Sequence, residues 1–129
     1  MRDRILIVDD SGTARMFVRR CLEITRLFTD PEFVEAANGQ EALACLKEQP
    51  CSFVFTDLTM PEMDGEALLA RIKGSPRFCD IPVVVVSSAG NPARDQRLQE
   101  MGAVGVLKKP LAPQALMLLL REMLANREG

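Results

Sequence analysis

The amino-acid sequence predicts a three-layer α/β domain, in which a doubly wound, five-stranded parallel sheet is covered by five helices. Five short apolar runs show no alternation of polar and apolar residues, which is typical of strands buried on both faces. A segment with helical periodicity or a helix cap follows each run, so strands and helices alternate along the chain. We expect a single domain over residues 1–129.

The first strand and the first helix occupy the first quarter of the chain. Residues 5–8 form the strand, and Ser11 can cap the helix that follows. The helix has an apolar stripe with i, i+3, i+4, i+7 spacing: Ala14, Phe17, Val18, Cys21 and Leu22. Its arginines are expected on a solvated face: Arg15, Arg19 and Arg26.

Four more strands and four more helices are expected in alternation. The strands are predicted at 33–36, 52–56, 83–86 and 104–107. The helices are predicted at 38–47, 64–74, 91–101 and 113–125. Asn38 with Glu41 resembles a capping box. The fourth helix has few apolar residues, so we expect it to be loosely held.

Composition excludes several classes of protein. The chain is 47% hydrophobic and 26% charged, with a net charge of -2, which favours neither nucleic acid nor an anionic membrane as a partner. Histidine is absent, and the four cysteines form no C-x-x-C motif, so a zinc site or a Cys–His pair is not expected. With no membrane-length apolar run and no secretory signal, we expect a cytoplasmic protein with free thiols.

Polar residues follow four of the predicted strands. Asp9 and Asp10 follow the first strand, Asp57 the third, Ser87 the fourth and Lys109 the fifth. The carboxyl ends of parallel strands meet at one edge, where such sheets place their chemistry. No His or Arg directly follows these strands, so a hard divalent cation such as Mg2+ is the expected counterion for the carboxylates. The set is suited to phosphoryl transfer, with Asp57 as the nucleophile that forms an aspartyl phosphate.

Four motifs resemble the receiver domain of two-component response regulators. They are Ile-Leu-Ile-Val-Asp-Asp-Ser at 5–11, Asp-Leu-Thr-Met-Pro-Glu-Met-Asp-Gly at 57–65, Val-Ser-Ser-Ala at 86–89 and Lys-Lys-Pro at 108–110. The resemblance covers essentially the whole chain and implies a flavodoxin-like, CheY-like fold with strand order 2-1-3-4-5. It also implies a stand-alone signalling protein, with chemotaxis as one conceivable pathway.

The resemblance implies roles for the residues at the strand ends. Asp57 would accept a phosphoryl group from the phosphohistidine of a sensor histidine kinase or a histidine phosphotransfer protein. Ser87 and Lys109 would contact the phosphoryl oxygens, and the Lys109–Pro110 peptide bond would be cis. The protein would catalyse only its own phosphorylation and dephosphorylation, so it would not be an enzyme in the ordinary sense.

The resemblance also implies a set of Mg2+ ligands. Asp10, Asp57 and the backbone carbonyl of Thr59 would bind the ion directly, and Asp9 would act through a water molecule.

Three positions depart from the common pattern of the family. Val106 stands where the fifth strand usually has an aromatic residue, so we expect Ser87 to couple less strongly to the outer face, or through different packing. Thr59 and Ala89 stand where the family tunes the lifetime of its phosphate. Neither side chain has an amide or carboxylate to position a hydrolytic water, so slow autodephosphorylation is expected.

The last predicted helix has more apolar residues than one face can bury. Its inward stripe is Leu116, Leu120 and Met123, and its surplus apolar residues are Met117, Leu118 and Leu124. One interpretation is a deeply seated helix. The other is a docking or dimer face made by helix 4, strand 5 and helix 5, on a protein that is a monomer or a weak dimer and binds a downstream protein target.

Other functional classes fit less well. A flavodoxin-type cofactor protein needs a phosphate-binding loop after the first strand, where this chain has two carboxylates. A hydrolase of the haloacid-dehalogenase kind has Asp-x-Asp after its first strand, whereas position 59 here is Thr. A receiver cut from a longer regulator with a DNA-binding or enzymatic output domain stays open, because the polar residues 126–129 suit either a terminus or a linker.

Overall fold

The computed structural model describes residues 3–88 and 90–128, and of residues 126–128 only the backbone. The strands are β1 (Arg4–Val8), β2 (Glu32–Ala36), β3 (Phe53–Asp57), β4 (Val83–Ser87) and β5 (Gly105–Lys108). The helices are α1 (Gly12–Thr25), α2 (Gly39–Glu48), α3 (Gly65–Lys73), α4 (Pro92–Glu100) and α5 (Pro113–Glu128). All pairings are parallel, and the sheet order β2-β1-β3-β4-β5 confirms the predicted topology.

Alternate residues of the strands enter two separate hydrophobic cores, because successive side chains in a strand point to opposite faces. Ile5 and Ile7 pack on the face covered by α1 and α5. Leu6 and Val8 pack on the face covered by α2, α3 and α4. The central strands are therefore buried on both sides, which is why their sequences read as continuous apolar runs.

Helix caps fix where the helices begin beside the carboxyl edge of the sheet. The side chain of Ser11 accepts a hydrogen bond from Ala14 N at 3.2 Å, as predicted for the start of α1. Asn38 accepts from Glu41 N at 2.9 Å, while the Glu41 carboxylate accepts from Ala37 N, one residue before the predicted partner in the capping box. Because each helix follows a parallel strand, these capped amino ends lie at the carboxyl edge.

Two predictions for α1 are wrong. Phe17 is 47% exposed, because the buried stripe of the helix is Val18, Cys21, Leu22 and Thr25, and Phe17 lies at its margin. Arg15 is half-buried and bonded to neighbouring residues, so it does not belong to a solvated face.

The predicted limits of the other elements differ from the observed ones by no more than three residues. For example, β5 begins after the exposed residue Val104, and α5 extends to Glu128.

Helix α4 is the least embedded helix among the described residues, as its sequence predicts. Leu98 is its only buried residue. The helix is held further by its Asn91 cap and by a surface ion pair from Arg97 to Glu66.

None of the helices in the described part of the chain combines the length and apolar character needed to span a membrane.

Candidate functional site

Three carboxylates meet at the carboxyl edge of the sheet. Asp9 directly follows β1, Asp57 ends β3, and the pairing of Val8 with Thr56 makes these two strand ends neighbours. Asp9, Asp10 and Asp57 each contribute one carboxylate oxygen to a group of three atoms that lie within 4.8 Å of one another. Asp9 is buried, Asp57 is half-buried and Asp10 is exposed, so the cluster opens to solvent on one side.

Lys109 bridges two of the three carboxylates. Its Nζ lies 3.1 Å from Asp9 Oδ2 and 3.1 Å from Asp57 Oδ1. Its backbone N–H donates to the carbonyl of Ser87 at 2.9 Å, which ties the residue to the end of β4. The peptide bond between Lys109 and Pro110 is cis.

The environment disfavours the charged form of Asp57. Burial raises the pKa of the Asp57 carboxyl most, and the neighbouring Asp9 charge raises it further. Hydrogen bonds from Lys109 and from Leu58 N lower the pKa but do not cancel the increase. Burial by itself would lower the pKa of Lys109, and its bonds to Asp9 and Asp57 outweigh that effect and raise it. The environment therefore favours the charged form of Lys109 and disfavours the charged form of Asp57.

The carboxylate cluster suits a hard divalent cation. Three carboxylates face one bridging ammonium, and oxygen is the ligand type that Mg2+ prefers. Asp10 is exposed, so an ion could reach the cluster from solvent while keeping some of its waters. Thr59, the remaining predicted ligand, is an exposed residue of the β3–α3 loop, and ligation by its carbonyl stays a prediction.

A close backbone approach sets the conformation of the loop after Asp57. Gly65 N donates to the carbonyl of Leu58 at 2.8 Å, which folds the loop back against the end of β3. A Cβ at position 65 would lie 2.2 Å from the Asp57 carbonyl oxygen, so only glycine fits there. Glu62 has a φ of 66°, in the left-handed region, at the tip of the same loop.

Ser87 is buried at the end of β4, beside Asp57. The register pairs Asp57 with Val86, and Leu58 N donates to the Val86 carbonyl at 3.1 Å. Ser87 Oγ accepts a hydrogen bond from Arg94 Nη2 at 2.7 Å. The structure thus brings Asp9, Asp10, Asp57, Ser87 and Lys109 to one edge, where the sequence predicted them.

The sequence reading missed two arginines beside this site, because neither directly follows a strand. Arg94 comes from the first turn of α4 and donates to Ser87. Arg15 comes from the first turns of α1, donates to the Asp9 backbone carbonyl at 2.6 Å and pairs with Glu35 at 2.8 Å. A cation near a helix amino terminus opposes the helix dipole, and that conflict was a signal the sequence contained.

The other singled-out positions lie away from the carboxylates. Val106 is half-buried on β5. On α5, Leu116, Leu120 and Met123 are buried as predicted, and Leu118 is 67% exposed. Ala89, a predicted determinant of phosphate lifetime, lies outside the described residues.

Comparisons with known sequences agree with this geometry. The profile of the response regulator receiver domain family matches residues 5–121. A chemotaxis protein CheY homolog of Campylobacter jejuni is 32% identical over 127 residues, which are 98% of this chain and 95% of the relative. The two-component response regulator ORR11 of Oryza sativa is 37% identical over 110 residues, which are 84% of this chain and 72% of the relative.

A solved structure shows the same architecture. The chemotaxis protein CheY4 of Vibrio cholerae superposes with a TM-score of 0.81 at 27% identity, over 95% of this chain and 98% of that one.

Proposed function

The chain belongs to the response regulator receiver domain family of two-component signalling, and we propose that it is a switch phosphorylated on Asp57. The observation that supports this most is the placement of Lys109 Nζ, 3.1 Å from Asp57 Oδ1, in a cluster that also contains Asp9 and Asp10. In this arrangement Asp57 would be the nucleophile, Lys109 the fixed cation and the carboxylate cluster the ion site, all at one sheet edge.

The proposed step transfers a phosphoryl group from a phosphohistidine to Asp57. The phosphorus–nitrogen bond breaks, its electron pair stays on the imidazole, and an Asp57 carboxylate oxygen forms the new bond to phosphorus. Lys109 is placed to offset negative charge on the phosphoryl oxygens, and the Ser87 hydroxyl lies on the neighbouring strand end as a hydrogen-bond donor. Burial and the Asp9 charge destabilise the ionised Asp57 carboxyl, which favours its reaction as a nucleophile. The larger negative charge of the phosphoryl group would then be offset by Lys109 and by the bound cation.

Asp10, Asp57 and the backbone carbonyl of Thr59 would bind Mg2+ directly, and Asp9 would act through a water molecule. When bound, the ion supplies positive charge that offsets the phosphoryl oxygens. Asp10 is exposed, so its carboxylate can take part in binding the ion without first breaking a buried interaction.

The donor in this proposal is a sensor histidine kinase or a histidine phosphotransfer protein, and the receiver passes the signal to a downstream protein rather than to nucleic acid. Chemotaxis is one pathway compatible with the relatives, some of which are chemotaxis proteins. Slow autodephosphorylation remains part of the proposal, since Thr59 has no amide or carboxylate to position water. Rapid loss of label from the purified phosphoprotein would remove that part.

Acetyl phosphate and intact mass measurement test the central proposal. With Mg2+, wild-type protein should gain one phosphoryl group, whereas Asp57→Asn and wild-type protein with chelator should gain none. Asp80→Asn is the matched control, because Asp80 is an exposed carboxylate in the connection between α3 and β4. A phosphoryl group on Asp57→Asn would show that the acceptor is another residue.

We also place the docking or dimer face on α4, β5 and α5. Leu118 of α5 is 67% exposed, Val104 before β5 is 41% exposed, and Met117 is half-buried beside Leu118. Strand β5 contacts both α5 and the loosely held helix α4, so the three elements form one continuous face.

Light scattering of acetyl phosphate-treated protein tests this face. Any wild-type dimer should be lost in Leu118→Asp and kept in Ile24→Asp, since Ile24 of α1 is similarly exposed at 60% but lies on another helix. A dimer that persists in Leu118→Asp would exclude this face.

A further inference from the structure

Helix α4 has an unusual connection to the candidate site. Its hydrophobic attachment is a single buried side chain, Leu98, whereas α3 buries Leu68, Leu69 and Ile72. At its amino end, the side chain of Arg94 is only 18% exposed and reaches inward, with Nη2 2.7 Å from Ser87 Oγ. The helix is therefore tied to the end of β4 by a polar contact within its first turn.

The charge of Arg94 is poorly matched to its place on the helix. The amino end of a helix carries a partial positive charge, which disfavours a cation in the first turn. Asp95 Oδ1 lies 3.4 Å from Arg94 Nη2 and offsets part of that charge. A phosphoryl group on Asp57, next to Ser87 across the β3–β4 pairing, would add further negative charge on the side toward which the guanidinium points.

Strand β5 offers little side-chain movement that could carry a change at Ser87 to the outer face. The fifth strand has Val106 at its middle, and the sequence contains no Tyr or Trp. A valine side chain is short and has few rotamers, so it offers little movement with which to report a change at Ser87. Arg94 contacts Ser87 directly and is itself part of α4.

We propose that Arg94 is a positioning residue that couples the state of Ser87 to the first turn of helix α4. This inference rests on the proposed phosphorylation of Asp57. When the Ser87 hydroxyl turns to donate to a phosphoryl oxygen, the guanidinium follows the serine oxygen and the added negative charge. The first turn of α4 moves with it, because the core contacts of the helix, Leu98 and the C-cap residue Met101, lie toward its other end.

Amide chemical shifts measured on adding Mg2+ and beryllofluoride, a phosphoryl mimic, test the coupling. In wild type, the amide of Leu58 should shift, because it donates to Asp57, and amides of the first turn of α4 should shift as well. In Arg94→Met at saturating beryllofluoride, the Leu58 shift should remain while most of the α4 shift change is lost. Arg94→Lys, which keeps the charge, should give an intermediate response.

Arg97→Met is the matched control, because Arg97 lies on the same helix and pairs with Glu66 rather than with Ser87. It should respond like wild type. If Arg94→Met binds beryllofluoride and shows wild-type α4 shifts, the inference is wrong. If Arg94→Met does not fold, Arg94→Lys decides: a full wild-type response in that variant would likewise overturn the inference.

The failure of the proposed function would look different. If wild-type protein binds no beryllofluoride and accepts no phosphoryl group, the Leu58 amide would not shift. That result would refute both the proposed phosphorylation of Asp57 and the inference that rests on it. A wild type that shifts at Leu58 but not in α4 would keep the proposed function and overturn the coupling alone.

Discussion

Two half-buried lysines, one at each edge of the sheet, have opposite electrostatic surroundings. Lys73, near the amino ends of the strands, donates to the carbonyls of Cys79 at 2.9 Å and Ile81 at 2.8 Å. Burial lowers the pKa of Lys73 by more than the nearby Cys79 and Asp80 raise it. Its partners are neutral backbone groups that close the connection between α3 and β4.

Lys109, at the carboxyl edge, is bonded to charges instead. Its partners are the carboxylates of Asp9 and Asp57, and they raise its pKa despite burial. One ammonium does not neutralise the whole cluster, because Asp10 adds a third carboxylate. The pKa of Asp57 stays above its ordinary value, chiefly because the carboxyl is buried and secondly because of the Asp9 charge.

The comparison distinguishes polar side chains that stabilise the fold from polar side chains that are placed to bind a ligand. At the amino edge, Lys73 satisfies backbone carbonyls, and Arg4 bonds to the Gln49 carbonyl and pairs with one opposite charge, Glu32. At the carboxyl edge, like charges are held together at a cost to the folded state, which a bound cation or phosphoryl group can change. Substitutions at the first edge should therefore alter stability, and substitutions at the second should alter the response to ligands.

The largest expected effect on stability is at the amino edge. Lys73→Met should lower the free energy of unfolding by about 2 kcal/mol, because it removes two charge-assisted hydrogen bonds from half-buried carbonyls. Urea unfolding measures the loss, and Lys47→Met, at an exposed position in α2, should stay close to wild type. A Lys73→Met protein as stable as wild type would show that the two edges do not differ in this way.

The sequence predicted the fold because local and global preferences agree. The valine run of β4 is buried at every position, and Ser11 and Asn38 cap helices where predicted. The candidate site could also be predicted, because the carboxyl ends of parallel strands must share an edge, and this brings Asp57 and Lys109 together.

The remaining details depend on packing that no local pattern specifies. Arg94 reaches Ser87 because the tertiary fold brings the first turn of α4 beside the end of β4, whereas a helical arginine by itself predicts a surface residue. Phe17 was assigned to the core by periodicity, whereas the rotation of α1 against α5 leaves it exposed. Such rotations are decided by the fit between two helices, so a sequence stripe does not fix its own margin.

Magnesium ion should stabilise the folded protein by binding at the carboxyl edge, independently of the amino edge. At a concentration ten times its dissociation constant, a ligand bound only by the folded state adds about 1.4 kcal/mol. Wild-type protein should show this gain in urea unfolding, and Lys73→Met should show the same gain from its lower starting point, because Lys73 lies at the opposite edge.

Asp10→Asn is the variant that separates binding from folding in this experiment. Asp10 is exposed, so its replacement should change stability without Mg2+ by less than about 0.5 kcal/mol. The gain from Mg2+ should nevertheless fall, since one carboxylate of the cluster is lost. An undiminished gain would place the ion elsewhere.

The smallest expected effect is a gain in stability from Asp57→Asn without Mg2+. The pKa of Asp57 is raised in the folded protein, so above that pKa the ionised carboxylate costs the folded state free energy that the unfolded chain does not incur. Asparagine cannot ionise, and the variant should unfold at a higher urea concentration than wild type at neutral pH.

The pH dependence of this gain identifies its cause. As the pH falls from the raised pKa of the folded protein toward the ordinary pKa of the unfolded chain, the cost of the ionised carboxylate is progressively lost, so the advantage of Asp57→Asn should shrink. Asp80→Asn, at an exposed position, should show no such trend. A loss of stability in Asp57→Asn at neutral pH would contradict the prediction. It would mean that the bond from Lys109 stabilises the folded protein by more free energy than the burial of Asp57 and the Asp9 charge cost it. The carboxyl edge would then contribute to stability as the amino edge does.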